Sequence, residues 1–141
     1  MTITELQQQY AVHPNVTAMN RLLKDVSVKH IFCGGLCASS ASLFFSVLVR
    51  KETCPFVFIL SDLEEAGYFY HDLTQVLGGE RILFFPSSFR RAIKYGQKDA
   101  ANEILRTEVL SRLQKGEKGL CVVTYPDALA ENCLLYTSDA A

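Results

Sequence analysis

Residues 30–50, HIFCGGLCASSASLFFSVLVR, decide how this chain is read. Ile31-Phe32-Cys33 is a short apolar run, Gly34-Gly35 a turn, and Leu43–Val49 an apolar segment of helical length. Strand, glycine turn and helix in that order form the frame of a phosphate-binding loop. Its pattern, G-x-x-x-x-G-K-[ST], uses backbone N–H groups to cradle phosphates and a lysine to meet their charge. In the register that starts at Gly35, the last three positions are Ser40, Ala41 and Ser42. The first glycine and the final hydroxyl are kept. Serine replaces the second glycine, and alanine replaces the lysine. Alanine supplies no cation for phosphate binding or phosphoryl transfer. The stretch therefore reads as the shape of a P-loop without its chemistry.

The totals fit that frame. A chain of 141 residues can bury one sizeable core. Its 49% hydrophobic and 21% charged content is ordinary for an α/β domain. A net charge of −1 gives no overall drive toward nucleic acid or a membrane surface. The first fifteen residues have neither the basic start nor the apolar stretch of a signal peptide, and the run Leu43–Val49 is too short to span a bilayer. Five cysteines (Cys33, Cys37, Cys54, Cys121 and Cys133) are odd in number, which suits reduced thiols in a cytosol better than a disulfide framework.

Outward from the glycine turn, strands and helices alternate. Thr4–Tyr10 reads as a short helix broken at His13-Pro14-Asn15, and Val16–Lys24 as a covering helix with Met19, Leu22 and Leu23 at helical spacing. Strands are expected at Lys29–Cys33, Phe56–Leu60, Arg81–Phe85 and Leu120–Thr124. The second of these, apolar on both faces, reads as buried in a parallel sheet. Ser61 and Glu64 are spaced as a capping box for a helix that Gly78-Gly79 stops. A further helix spans Asn102–Lys115 on a Leu105, Val109, Leu113 stripe and ends at Gly116; Pro126 opens another. The expected fold is α/β: a P-loop- or RecA-like parallel sheet flanked by helices, incomplete at its C-terminal end.

Four segments, GGLCASSASLFFSVL, PFVFILSDLEEAGYFYHDL, FFPSSF and NEILRTEVLSRLQKGEKGLCVVTYPDALAE, together resemble the N-terminal module of the bacterial transcription-repair coupling factor. That module is itself similar to the excinuclease B protein. Ala41 and the short Ser87–Gln97 link favour the coupling factor, because the excinuclease B protein resembles a working ATPase and carries a long DNA-gripping insertion there. The resemblance implies a large parent, an ATP-driven translocase of double-stranded DNA. That parent displaces stalled RNA polymerase and recruits the excinuclease A protein in nucleotide excision repair, with ATP and Mg in a C-terminal motor. This chain is then expected to be a fragment: residues 1–28 an extension with a covering helix, 29–131 the degenerate domain. Residues 132–141 form a tail whose CLLYTSDAA string matches one reading frame of a sequencing adapter.

Each candidate for chemistry has a plain structural reading beside it. Gly35, Ser40, Ala41 and Ser42 could bind an anion through helix amides, and a structural turn is the favoured reading. Cys37 near a helix start could be an activated thiol with His30 as base, or could join His30 and Cys33 on a metal; neither spacing converges. Arg90, Arg91, Lys94 and Lys98, with Phe89 and Tyr95, form a basic-aromatic cluster suited to a phosphate backbone or a neighbouring domain, against the plainer reading of a solvated loop. Asp62, Glu64 and Glu65 read as first-turn acids. Arg106 matches an arginine of the family's helix, with a surface or interdomain ion pair expected. The reading that results is a non-hydrolytic cytoplasmic scaffold without cofactor, metal or membrane partner. A nucleotide hydrolase with an atypical loop and a weak nucleic-acid-binding module are the alternatives.

Overall fold

The computed structural model describes residues 1–89 and 98–131; the expected tail, residues 132–141, lies outside them. Among the described residues, three parallel strands, β1 (Phe56–Ile59), β2 (Ile82–Phe84) and β3 (Cys121–Thr124), form one sheet in the order β1-β3-β2. Helices α1 (Ile3–Ala11), α2 (Pro14–Lys24), α3 (Ser40–Lys51), α4 (Leu63–Leu77), α5 (Ala100–Gln114) and α6 (Pro126–Ala130) surround it. The chain is thus α/β with a small parallel sheet flanked by helices.

The register assigns the faces. Phe56, Cys121 and Ile82 lie side by side, as do Phe58, Val123 and Phe84. Helices α3 and α4 cover this face: Phe58 meets Phe45 at 5.3 Å and Phe69 at 5.0 Å, and Tyr70 meets Phe84 at 5.3 Å between ring centroids. Val57, Val122 and Leu83 line the opposite face, where α5 packs on β2. This division has a topological cause. The β1–β2 connection passes over β3 in one direction and the β2–β3 connection steps back. Parallel crossovers are right-handed, so reversing direction moves the helix to the other face.

Local chemistry sets the element ends. Thr2 and Glu5 form a reciprocal capping box on α1, and Pro14 occupies the first turn of α2 behind the His13 cap. Pro14 therefore starts a helix as well as ending one, and α2 is longer than the apolar spacing indicates. Gly78, with φ 84°, and Gly116, with φ 69°, end α4 and α5 in the left-handed region that costs glycine nothing. Asp62, not Ser61, caps α4 by accepting from the Glu65 amide at 2.9 Å, one residue beyond the cap expected. The Asp62 carboxylate also adds negative charge at the positive end of the helix.

Two apolar clusters result. One joins the sheet to α4 and α5 through Leu73, Ile82, Val109, Leu120 and Val123; the other joins α2 to α3 through Val16, Met19, Phe44, Val47 and Leu48. Gln7 of α1 donates to the Ser46 hydroxyl at 3.2 Å, a polar tie buried beside the second cluster.

Three expectations are corrected. Lys29–Cys33 forms no strand: β1 gives its inner edge to β3, no described strand lies beside residues 29–33, and an unpaired segment has no ladder to hold it extended. Phe32 is instead 95% exposed. Next, β1 is an edge strand and not a buried one, with Val57 and Ile59 56% and 59% exposed. Finally, α5 turns Arg106 and Val109 inward, while Leu105 and Leu113 are each 37% exposed and Ile104 68%.

Leu73 has zero exposure between α4 and the sheet, so Leu73→Ala is expected to lower unfolding free energy in urea by about 2–5 kcal/mol. Ile104→Ala on the outer side of α5 should change it by no more than about 0.5 kcal/mol. Equal losses at the two positions would overturn this assignment of inner and outer faces.

Candidate functional site

The glycine turn and the start of α3 sit at the surface. Gly35 has φ 80° and Ala38 φ 47°, so two residues within four positions adopt left-handed backbone. For alanine that conformation carries a steric cost. Hydrogen bonds hold the turn: the Cys37 amide donates to Ser40 Oγ at 2.8 Å, and that hydroxyl donates to the Cys37 carbonyl at 2.6 Å. Ser42 Oγ donates to the Ser39 carbonyl at 2.8 Å and lies 3.3 Å from Asp72 Oδ2, joining α3 to α4. Ser39 is the N-cap of α3 but makes no side-chain capping bond. Both candidate hydroxyls are thus engaged within the fold, and the one nearer the core faces a carboxylate. A cleft of about 630 Å³ opens beside the turn, lined by Tyr10, Met19, Phe32, Gly34, Gly35 and Phe44 among others.

Of the basic-aromatic cluster, Arg90, Arg91 and Lys94 lie outside the described residues, as does Tyr95. Lys98 forms a bridge with Phe89 and an ion pair with Glu103 at 3.2 Å, in which both side chains are about half exposed. Such a pair contributes little to stability.

Among the described residues, a densely connected polar group lies at the C-terminal ends of β2 and β3. Only 6% of the surface of Arg106 is exposed, so of the surface or interdomain ion pair expected for it the surface form is excluded. Its guanidinium donates from Nη1 to the Pro86 carbonyl at 2.7 Å and to the Ala128 carbonyl at 2.9 Å. It also lies 4.2 Å from the centre of the Phe85 ring and 3.5 Å from Glu131 Oε2. Glu131 accepts in turn from the Ser87 hydroxyl, from the Ser88 amide at 3.0 Å and from the Ser88 hydroxyl at 2.7 Å. Tyr125 Oη accepts from the Ser87 amide at 2.8 Å, and Asn102 Nδ2 donates to the Ser87 carbonyl at 2.9 Å.

The apolar stripe of α5 explains why sequence reasoning missed this cluster. Arg106 lies three positions before Val109, on the side that faces the sheet, and a charge there requires a partner and saturated donors. That periodicity was the available signal. Nothing in the spacing of Ser87, Ser88 and Glu131 names them as the partners, because they meet only after two strands are brought parallel.

The cysteines divide by burial. Cys33, Cys37 and Cys54 are exposed, while Cys121 is fully buried in β3. Burial pushes the Cys121 thiol up to about 11, with Arg81 pulling it down and Cys54 pushing it further up. It is a neutral packing group at ordinary pH. Among the described residues, no group of three or more His, Cys, Asp and Glu could hold a metal ion, and no helix is long and apolar enough to cross a membrane.

Burial raises the Glu131 carboxyl, but hydrogen bonds from Ser87 and Ser88 and the charge of Arg106 outweigh it and hold the group below its ordinary value of 4.5. The fold thus favours the ionised form. Its contribution is complete above the unfolded value and is lost as pH falls through the lowered folded one. Glu131→Gln is expected to flatten the dependence of unfolding free energy on pH below about 4.5. Arg106→Met, which strands the carboxylate, should cost about 3–5 kcal/mol at neutral pH. An unchanged acid limb in the glutamine variant would contradict the assignment of this carboxylate.

The chain matches no family model, no curated protein and no solved structure.

Proposed function

We propose that this chain is a scaffold: a degenerate P-loop-like α/β module of the transcription-repair coupling factor type that neither binds nor hydrolyses nucleotide. The observation that carries the reading is Ala41 at the position where a phosphate loop needs its lysine. Support also comes from the turn itself, where the Ser40 hydroxyl is bonded to Cys37 and the Ser42 hydroxyl to Ser39 and Asp72. A carboxylate beside the hydroxyl that would otherwise hold Mg²⁺ on a phosphate repels the phosphate itself. Within a parent of that type, the module's contacts would be with neighbouring domains. ATP, Mg, double-stranded DNA, RNA polymerase and the excinuclease A protein would engage the parent, and the setting would be nucleotide excision repair in the cytoplasm.

Titration of the purified chain with labelled ATP and magnesium, alongside an Ala41→Lys variant, tests the reading. The natural chain is expected to show no saturable binding and no phosphate release. Saturable binding at micromolar affinity would replace the scaffold with a nucleotide hydrolase whose amides suffice without the lysine. Binding by the variant alone would show that the loop kept its shape and lost its cation.

A further inference from the structure

Among the described residues, one edge of β1 has no neighbouring strand. The Phe56 amide donates to the Leu120 carbonyl and the Leu60 amide to the Thr124 carbonyl, each at 2.9 Å. Backbone groups of successive strand residues point to opposite edges, so those of Val57 and Ile59 point away from β3. No described strand meets them. The side chains of the same two residues lie on the face that α5 leaves uncovered at this end of the sheet, 56% and 59% exposed. Strand edges in monomers are blunted by charge, proline or a bulge. Phe56-Val57-Phe58-Ile59 has none of these within it, and Pro55 stands before its first residue.

We infer that this edge is a self-association surface, on which β1 of a second copy pairs antiparallel with β1 across a two-fold axis through Phe58. The inference is independent of the scaffold reading. In that register Val57 of each copy faces Ile59 of the other as a pair that exchanges both backbone hydrogen bonds, and the two exposed side-chain pairs cover one another. The three-stranded sheets become one sheet of twice that number.

Charge specifies the second copy as the occupant. Helix α3 enters β1 with Arg50 and Lys51 in its last turn, and α4 leaves it with Glu64 and Glu65 in its first. All four side chains are exposed. Antiparallel pairing brings the beginning of one β1 beside the end of the other, and therefore brings a basic helix end to an acidic helix start at both ends of the seam. A parallel arrangement would set like charges together. Two-fold symmetry closes this seam at two copies, because it uses the β1 edge of each.

Sedimentation equilibrium of the full chain under a thiol reductant tests the inference, with Val57→Lys as the companion variant. The natural chain is expected to fit a reversible monomer–dimer equilibrium. Val57→Lys, which places two charges in the seam, should sediment as a monomer with an unchanged far-ultraviolet spectrum and, at dilutions where the natural chain is also monomeric, an unchanged thermal midpoint. Arg50→Glu with Lys51→Glu should weaken the dimer, and adding Glu64→Lys with Glu65→Lys should restore it. A monomer at every concentration overturns the inference and leaves the edge to a strand from another polypeptide. Association that continues past the dimer, or a dimer indifferent to Val57→Lys, overturns it as well.

Discussion

The guanidinium of Arg106 ties α5 to the segments that follow β2 and β3, beyond the point where their backbone ladder ends. It receives the ends of β2 and β3 at once, through the Pro86 carbonyl on one side and the Ala128 carbonyl and Glu131 on the other. A buried charge of this kind is expensive to desolvate, and the surroundings must offset that cost with hydrogen bonds of good geometry. They do so densely. Phe85 lies against the flat face of the guanidinium, Glu131 meets its charge, and Ser87 and Ser88 satisfy the carboxylate that results. Helix α6 is only five residues long, too short to persist by itself. Its position depends on this cluster and on Ala128, which has zero exposure.

The other end of the molecule obeys a different constraint. Helices α1 and α2 pack away from the sheet core, and α2 buries Val16 and Met19 on α3 instead. Helix α3 therefore has two apolar faces, one toward α2 and one, through Phe45 and Val49, toward the sheet and its core. This explains why LFFSVLV is apolar almost all round, where a helix on an open surface would carry a single stripe. The serines within α3 do not break the pattern: Ser42 and Ser46 each donate to a carbonyl one turn back, which lets a hydroxyl lie buried against neighbouring helices.

Chemistry in parallel α/β sheets gathers outside the carboxyl ends of the strands. In this chain that rim is occupied by Phe85–Ser88, Tyr125 and Glu131, linked by hydrogen bonds through Ser87 and Ser88. The glycine turn, for its part, keeps the left-handed backbone of a tight loop while its hydroxyls serve the fold.

Much of this architecture was legible in the residues. The alternation of short apolar runs with helical periods specified parallel pairing and an α/β class, and β1, β2 and β3 fall inside the expected strands. Gly78, Gly116 and Pro126 marked helix boundaries because each acts through its own backbone torsions. The sequence by itself determined what depends on a few neighbouring residues: where helices run, and where glycine and proline end or start them. Only the tertiary structure decided which strands found partners. Among the described residues it left 29–33 without a ladder and β1 paired along one edge only, although both runs look equally strand-like, because pairing is a property of two segments and not of one. It likewise chose Arg106 over Leu105 for the inner face of α5. That choice rests on Glu131, Ser87 and Ser88, residues remote in the chain whose contribution exists only once β2 and β3 lie side by side.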